Sequence, residues 1–454
     1  MHIVRELSKK RIVMLGDFAH GFPLPYQSLV KTVSTWLTMV EKGESEIMNM
    51  ALFLEEDKQI NNLIKQYIKT GDIDPFLDLV LPNISIERLE FYSDLRNISK
   101  RVDTLNNKFP PSKQIVFDIQ GPEAMNIFDP KIIDSSERAS RLFFVNQRDS
   151  LISSNIISYL NEYPSFKAII FYGAGHLKIK TVRKDYSGVL TPEESKGMFL
   201  GGYLKQALGS DQVFTINQVA RSRSPLKSEQ FGSSDFFINA EDVPWKDSPP
   251  NDDNLLPDYY DAFIIRNGFV INHHPLQYIF SNRIIQASLK RLELFESHKN
   301  GASGKNLYQI ALNTLKFHCD TSFSTTEQWK TWRQRYPFKG LELLRSENYK
   351  KQIFEKSSQL IGTKEFLKFI DDLISLGFDP RIGSPTMSRE EWQRDLDKMW
   401  PQIVFLNAIG VYFVGDSTEK ENAKNYLVEA SGINYDDPAP YLKLWRKKFY
   451  DLNY

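Results

Sequence analysis

Cysteine, long apolar runs and an excess of one charge sign are what this sequence has least of. The 454 residues include one cysteine, Cys319, so a single chain can form neither an internal disulfide nor a cysteine-based zinc cluster. No run of eighteen apolar residues occurs, and the first residues lack the apolar stretch of a signal peptide. We therefore expect a soluble, cytoplasmic protein without a membrane span. Any metal would be held by histidine and carboxylate groups.

The charge balance also excludes some partners. Lys plus Arg and Asp plus Glu both number 57, and no long run of one sign appears. This argues against a nucleic-acid partner and against binding to an anionic membrane surface. Small-molecule partners remain open. The length exceeds the usual size of one domain, so we expect two.

Short apolar runs rich in Val, Ile and Phe alternate with longer segments of helical pattern. Most of these runs are apolar on both faces, as is typical of strands in a sheet that helices cover on both sides. The alternation predicts parallel strand–helix–strand units. We therefore predict an α/β fold with a mostly parallel central β-sheet covered by helices. The runs span residues 11–17, 49–57, 114–121, 167–176, 212–219 and 259–268.

The two ends of the chain differ in pattern. Helix candidates with a glycine or proline stop lie between the apolar runs, for example at 57–72 and 146–164. After about residue 275 helical periods take over, which predicts an α/β domain over 1–272 and an all-α domain over 275–454. Serine, proline and acidic residues over 220–257 indicate a long surface excursion, either a plain loop or a lid.

Polar residues follow four of the predicted strands. Parallel strands bring their carboxyl ends to one edge of a sheet, where α/β proteins bind ligands, so these side chains should converge. The glycines at the end of the fourth run mark the point where the backbone turns sharply or lies close to another group. The candidates are Asp17 and His20 after the first run, Glu55 after the second, Asp118 and Gln120 in the third, and Gly173, Gly175 and His176 in the fourth.

A helix candidate contributes two further residues. Between 147 and 160 an apolar stripe runs through Ile152 and Ile156, and Arg148 lies one turn before it on the same face. Asn155 also lies near that face. An inward-pointing arginine needs a carboxylate or a developing oxyanion as its partner. We therefore add Arg148 and Asn155 to the candidate site.

This set of side chains suits hydrolysis by an activated water. A neutral imidazole can take a proton from water, a carboxylate can orient it, and an arginine can stabilise an oxyanion formed on a carbonyl. Spacing leaves an alternative open, in which His20, His176 and Glu55 hold a divalent metal ion. The sequence has neither an HExxH helix nor a GxSxG nucleophile elbow, so a serine-hydrolase mechanism has little support.

In these motifs the chain resembles the erythromycin esterase-like group and its wider superfamily with ChaN-like, TraB and Tiki proteins. The resemblance covers roughly residues 8–270 and depends on the shared order of five short motifs. Asp17 stands where that group usually has glutamate, and Gly173 to His176 form a GxxH closer to the Tiki and TraB branch. The motifs are LGDFAHG with Asp17 and His20, FLEED with Glu55, FDIQG with Asp118, QRDSLISSN with Arg148, Asp149 and Asn155, and FYGAGH with His176.

The resemblance implies a hydrolase of a small ester, amide or peptide. In it His20 is the general base on water, Asp17 or Glu55 orients that base, and His176 and Arg148 bind the carbonyl or its oxyanion. The Tiki branch implies a divalent metal ion as an optional cofactor. The resemblance otherwise implies no certain cofactor. We assign substrate binding to Asp118, Gln120, Asn155, Gly173 and Gly175.

Two other functions stay open at this point. The ChaN branch implies a non-catalytic protein that binds haem, iron or another small ligand at the same residues. Alternatively, the helical domain docks a protein partner and the α/β half is its scaffold. Substrate identity, metal dependence and oligomeric state are not encoded in the spacing.

Overall fold

The computed structural model describes most of the first 300 residues and the last helices of the chain. In full these are residues 2–18, 23–80, 86–123, 135–180, 183–185, 188–220, 235–247, 253–266, 281–298, 300, 327, 346–348, 351 and 389–450. His20 and much of the helical domain predicted over 275–454 lie outside them. The described residues divide into two compact units. One comprises Met1–Asp72, Phe91–Val270 and Gly301–Ser303, and the other Ile73–Glu90, Ile271–Asn300 and Gly304–Tyr454.

The first unit contains a seven-stranded sheet in which the order is β3-β2-β4-β1-β5-β7-β6. Every neighbouring pair is parallel except β6 and β7, which are antiparallel. The strands are β1 (Ile12–Asp17), β2 (Asn49–Leu54), β3 (Val116–Gln120), β4 (Lys167–Gly173), β5 (Val213–Ala220), β6 (Phe236–Asn239) and β7 (Ala262–Arg266). The mostly parallel α/β fold and all six predicted strands are thus confirmed.

The seventh strand, β6, corrects one expectation. It lies within residues 220–257, which the composition assigned to a surface excursion. Its four residues FFIN pair with β7, and Trp245 and Leu255 farther along are buried against the sheet. Four residues are too few to give a clear periodic signal. This segment therefore contributes to the core as well as to the surface.

Helices cover both faces of the sheet, which explains why its central strands are apolar on both sides. On one face Ile152 and Ile156 of a helix pack with β-strand residues such as Met14 and Ile170. On the other face the rings of Tyr26 and Phe91 pack against Phe171 of β4 in tilted arrangements. Helices α1–α8 are His2–Lys9, Pro23–Glu41, Lys58–Thr70, Asp74–Val80, Ile86–Asn106, Glu137–Leu142, Arg148–Glu162 and Leu200–Leu208.

The helix predicted at 57–72 forms as α3, with both of its ends set by sequence. The Asp57 side chain caps the N-terminus by accepting from the N–H groups of Gln59 and Ile60. At the other end Gly71 has φ 77°, a left-handed conformation that costs glycine little. The glycine stop read from the sequence is therefore a C-cap.

The described elements of the C-terminal part are all helices, as predicted. They are α9 (Asn282–Ser297), α10 (Arg389–Val414), α11 (Ser417–Ser431) and α12 (Ala439–Tyr450). Asp416 and Glu419 form a reciprocal capping box at the start of α11. In the same unit Arg446 is fully buried and pairs with Glu90 at 2.9 Å. Among the described residues no helix is both long enough and apolar enough to cross a membrane.

Two adjacent glycines of α8 offer a test of how tightly this helix packs. A Cβ at Gly201 would lie 2.2 Å from the carbonyl oxygen of Leu177, whereas a Cβ at Gly202 would meet nothing closer than 3.5 Å. We expect Gly201→Ala to destabilise the fold by about 1–3 kcal/mol through overpacking. Gly202→Ala should be neutral or stabilise by up to about 1 kcal/mol through helix propensity. Urea unfolding of both variants measures this, and equal midpoints would contradict the packing described.

Candidate functional site

A cleft of about 290 Å³ lies at the carboxyl edge of the sheet. Its wall is formed by the ends of three neighbouring strands. Asp17 ends β1 and Phe18 follows it, residues 173–176 come from β4 and the turn after it, and residues 217–220 come from β5. Residues 254 and 255 complete the wall.

The strand order explains why the cleft is at this place. From β1 the chain goes to β2 on one side of the sheet, and from β5 it goes to β6 and then to β7 on the other side. In open α/β sheets such a reversal between adjacent strands leaves a crevice in which ligands bind. Asp17, the last residue of β1, is buried and lies opposite Gly173 of β4. The position of Asp17 in a ligand cleft therefore follows from the topology.

His176 lies in a single 3₁₀ turn, Ala174–Leu177, directly after β4. It is 9% exposed and lines the cleft. Its Nδ1 is 2.8 Å from Oδ1 of Asp149, which is buried. Because an ionised carboxylate only accepts hydrogen bonds, we assign the proton of the neutral ring to Nδ1. That leaves Nε2 as the basic nitrogen.

Asp149 is held in its ionised form by several donors. Burial alone would raise the pKa of Asp149, but His176, Arg183 and Arg148 together hold the pKa below its usual value. Nη1 of Arg183 is 3.1 Å from Oδ1, and the backbone N–H of Leu200 donates to Oδ2 at 3.1 Å. The carboxylate is therefore fixed before any substrate arrives.

Arg148 is the first residue of α7 and follows a π-helical turn, Phe143–Gln147. Such turns often occur at functional sites because the extra residue rotates the side chains that follow. The guanidinium donates from Nη2 to Glu55 at 2.9 Å and from Nε to Glu123 at 3.1 Å, with a second bond to Glu123. Nη1 is 3.3 Å from Nε2 of His176.

Glu55, which directly follows β2, connects this arginine to the end of β4. Its Oε2 accepts from the backbone N–H of Gly173 at 2.8 Å, and its Oε1 is 3.6 Å from Nε2 of His176. Glu55, Arg148, Gly173 and His176 are thus brought together as the sequence indicated. Two of the four predicted strand ends, those of β2 and β4, therefore contribute to one connected cluster.

Burial and charge shift the pKa values of the ionisable groups in this cluster in opposite directions. Burial raises the pKa of Glu123, although the charge of Arg148 opposes the shift. For Arg148 itself, burial would lower the pKa, but the two adjacent glutamates raise it above its ordinary value. Arg148 is therefore permanently cationic. It can stabilise negative charge that develops near His176.

Other predicted residues lie elsewhere. Asp118 and Gln120 of β3 form a separate polar cluster, in which Asp118 accepts from Lys65 at 2.9 Å and from Tyr159 at 2.7 Å. Burial would raise the pKa of Asp118, yet these hydrogen bonds lower it. Asn155 donates to the carbonyl of Pro122 at 2.8 Å. In these contacts Asp118 holds neighbouring side chains, and Asn155 holds the segment that carries Glu123.

Sequence reasoning assigned no role to three residues of the cluster. Asp149 stands in the QRDSLISSN motif next to Arg148, so the motif could have added it to the site. Glu123 follows β3 by three residues, and its N–H donates to the carbonyl of Glu56 at 3.1 Å. No local signal points to Arg183. Its role depends on a contact with Asp149, 34 positions earlier in the numbering.

A divalent metal fits the described part of the cluster poorly. The guanidinium of Arg148 already lies between Glu55, Glu123 and His176, so a metal ion there would face a fixed cation. Within the ranges that the structure describes, no group of three His, Cys, Asp or Glu residues is arranged to hold a metal ion. The predicted set also includes His20, which lies outside them. Metal binding therefore stays a prediction, and the proposed reaction does not involve a metal ion.

Three solved structures resemble the fold at low similarity. A protein from Bacillus cereus is 14% identical with a TM-score of 0.35, and covers 57% of this chain and 89% of its own. A histidine-to-asparagine variant of the erythromycin esterase EreC in its open conformation is 12% identical with a TM-score of 0.38, covering 58% and 92%. A succinoglycan biosynthesis protein is 13% identical with a TM-score of 0.36, covering 58% and 90%.

No family model matches this chain, and no curated protein does. The structural neighbours therefore include an erythromycin esterase, but at these identities and TM-scores they carry no argument about what this chain does. The candidate function depends on the site itself.

Replacing Asp149 tests its place in the cluster. Because the pKa of Asp149 is lower in the folded state than the ordinary value of about 3.9, its carboxylate stabilises the fold above that pH. This stabilisation is lost as the pH falls through the folded-state pKa. We expect Asp149→Asn to destabilise the protein by about 3 kcal/mol at neutral pH. Urea unfolding should show that the gap to the wild type narrows below about pH 4.

The matched control is Asp103→Asn, because Asp103 is exposed. It should follow the wild type across the same pH series. A gap for Asp149→Asn that stayed constant with pH would show that the ionised carboxylate is not what stabilises the fold.

Proposed function

We propose that this protein is a hydrolase that cleaves an ester or an amide or peptide bond of a small substrate in the cleft. The observation that carries the proposal is the buried chain of contacts from Asp149 through His176 to Arg148 at the carboxyl edge of the sheet. It combines an oriented imidazole with a permanent cation, next to a cavity large enough for a small molecule.

In the proposed reaction a base takes a proton from water, and the water oxygen attacks the carbonyl carbon. We assign this base to His20, with the buried carboxylate of Asp17 orienting it. Negative charge then develops on the carbonyl oxygen. Of the described residues Arg148 is best placed to stabilise it, since desolvation strengthens each charge interaction. His176 adds to this in its protonated form, in which Nε2 carries a proton that it can donate. The bond to the alcohol or amine breaks, and the leaving group takes up the proton.

Glu55 and Glu123 hold Arg148 in place for this role. Two carboxylates that follow different strands fix the planar guanidinium through three hydrogen bonds, so the cation needs little rearrangement when charge develops. Asp149 does the same for the ring of His176. The side chains that contact the substrate are thus different from the side chains that hold those side chains in position.

Two substitutions test the proposal directly. We expect His176→Ala to lower kcat by about 100- to 10,000-fold and Arg148→Lys by about 100- to 1,000-fold. Lysine keeps the charge but cannot form the forked contacts to Glu55 and Glu123. Initial rates would be measured with nitrophenyl acetate and butyrate, a set of lactones and a set of dipeptides. His20→Ala belongs in the same series.

The controls are His2→Gln and Arg138→Lys. His2 is exposed and stacks on Phe237, and Arg138 pairs with Glu194 at the surface. Both should retain wild-type rates. If His20→Ala, Arg148→Lys and His176→Ala all kept full activity on the best substrate, the proposed site would be wrong. Haem absorbance after incubation with haem, without turnover of any ester or peptide, would favour the non-catalytic alternative.

Elemental analysis of the purified chain separates the two versions of the mechanism. Because Arg148 already balances the charge of Glu55 and Glu123, we expect less than stoichiometric divalent metal. The same content is expected in His20→Ala and His176→Ala. Stoichiometric metal in the wild type that is lost in both variants would contradict this, and would make these histidines ligands of a metal-dependent hydrolase.

A further inference from the structure

The wall of the cleft formed by β5 has no part in the proposed hydrolysis. Asn217 and Gln218 are consecutive residues of this strand, and both line the cleft. They are 1% and 0% exposed, respectively. Because successive side chains of a strand point to opposite faces, the two amides flank the strand end from both sides of the sheet.

The hydrogen bonds of the two amide side chains determine which atom of each amide is not engaged. Nδ2 of Asn217 donates to the carbonyl oxygen of Asn254 at 2.6 Å, and Nε2 of Gln218 donates to that of Gly16 at 2.8 Å. A carbonyl oxygen only accepts, so the amino group of each amide must face it. Within the part of the chain that the structure describes, the remaining atoms, Oδ1 of Asn217 and Oε1 of Gln218, are buried acceptors without a hydrogen-bond partner.

A buried acceptor without a donor lowers the stability of the folded protein. Most buried amides in native proteins are fully paired, because an unpaired buried group loses the hydrogen bonds that water would give it. Two other asparagines of the described residues, Asn61 and Asn407, have the same unpaired oxygen. Neither lines the cleft. Asn217 and Gln218 are therefore distinguished by their position in the wall of the cleft.

Gly16 adds a steric observation. A Cβ on Gly16 would lie 3.1 Å from Oδ1 of Asn217. This is closer than an ordinary contact, so the absence of a side chain at position 16 leaves room beside the unpaired oxygen. The carboxylate of Asp17, which also lines the cleft, adds a further acceptor of hydrogen bonds.

We propose that this wall is a recognition subsite for a substrate part rich in hydrogen-bond donors, namely hydroxyl groups of a polyol or sugar, or an ammonium group. The inference deepens the proposed function, because it names the substrate class of the same cleft. Oδ1 of Asn217 and Oε1 of Gln218 accept from the donors, and Asp17 favours those that carry positive charge. A substrate without donors would leave both oxygens unpaired and bind more weakly.

Binding of three small probes to the full chain tests the subsite without any turnover. Phenyl β-D-glucopyranoside supplies hydroxyl groups, phenoxyethylamine supplies an ammonium group, and anisole supplies no donor. None contains an ester or amide bond, so their affinities do not depend on hydrolysis. We expect isothermal titration to show that at least one of the two donor probes binds about tenfold tighter than anisole, which corresponds to ~1.4 kcal/mol.

Three variants test whether these residues cause the tighter binding of the donor probe. Asn217→Leu and Gln218→Met each remove one acceptor, and each should reduce the affinity of the preferred probe about tenfold. The affinity of anisole should change little. Gly16→Ala removes no polar group and places a methyl against Oδ1 of Asn217, so it keeps the test valid if a buried amide variant fails to fold. It should weaken the same probe.

Asn61→Leu and Asn407→Leu are the matched controls. Each removes a buried amide with an unpaired oxygen outside the cleft. Both should keep the wild-type preference, and circular dichroism would show that every variant is folded.

Each outcome decides the inference. Tighter binding of the glucoside supports a hydroxyl-rich substrate, and tighter binding of the amine supports a cationic one. Equal affinity for all three probes, or a preference that persists in all three cleft variants, would overturn it. A donor preference without turnover of any ester or peptide would count against the hydrolase but support the subsite. Turnover without the preference would do the opposite.

Discussion

The ion pairs of Arg148 hold the candidate site together. A buried guanidinium costs several kcal/mol unless its charge and its N–H groups are matched. Here Glu55 after β2 and Glu123 after β3 provide the match, and Nη1 faces His176 after β4. Three strand ends are thus tied to the first residue of α7. Loss of either glutamate would leave Arg148 with incomplete pairing in a buried place, which explains how residues far apart in the chain depend on one another.

The sheet topology decides which polar residues can join this cluster. With β1 and β4 in the centre, Asp17 and His176 both border the cleft. Asp118 lies on the edge strand β3, two residues before its end, opposite Ala51 of β2. From that position it accepts hydrogen bonds from Lys65 and Tyr159 rather than from Arg148. Being near a strand end is therefore not sufficient, since the last residue and the direction of the side chain both matter.

Each of the two units contains an arginine that pairs with glutamate, but Arg148 is only partly buried and the surroundings differ. Arg446 of α12 is fully buried and paired with Glu90 at 2.9 Å, among helices whose cores contain Trp445 and Leu442. The residues that line the cleft all belong to the first unit. A comparable ion pair thus lies among packed helices in one unit, while in the other it lies next to a cavity where charge can act on a bound molecule.

The sequence by itself determined the six strands of the parallel sheet, the helical character of the described C-terminal segments, and the strand-end positions of Glu55 and His176. These follow from local patterns, since apolar period and glycine position depend on neighbours in the chain. Only the tertiary structure decided that β6 joins the sheet, that Glu123 and Arg183 enter the cluster, and that Asp118 does not. It also decided that Asn217 and Gln218 have unpaired oxygens beside the cleft. Such features depend on strand order and on contacts between distant segments, which no local period records.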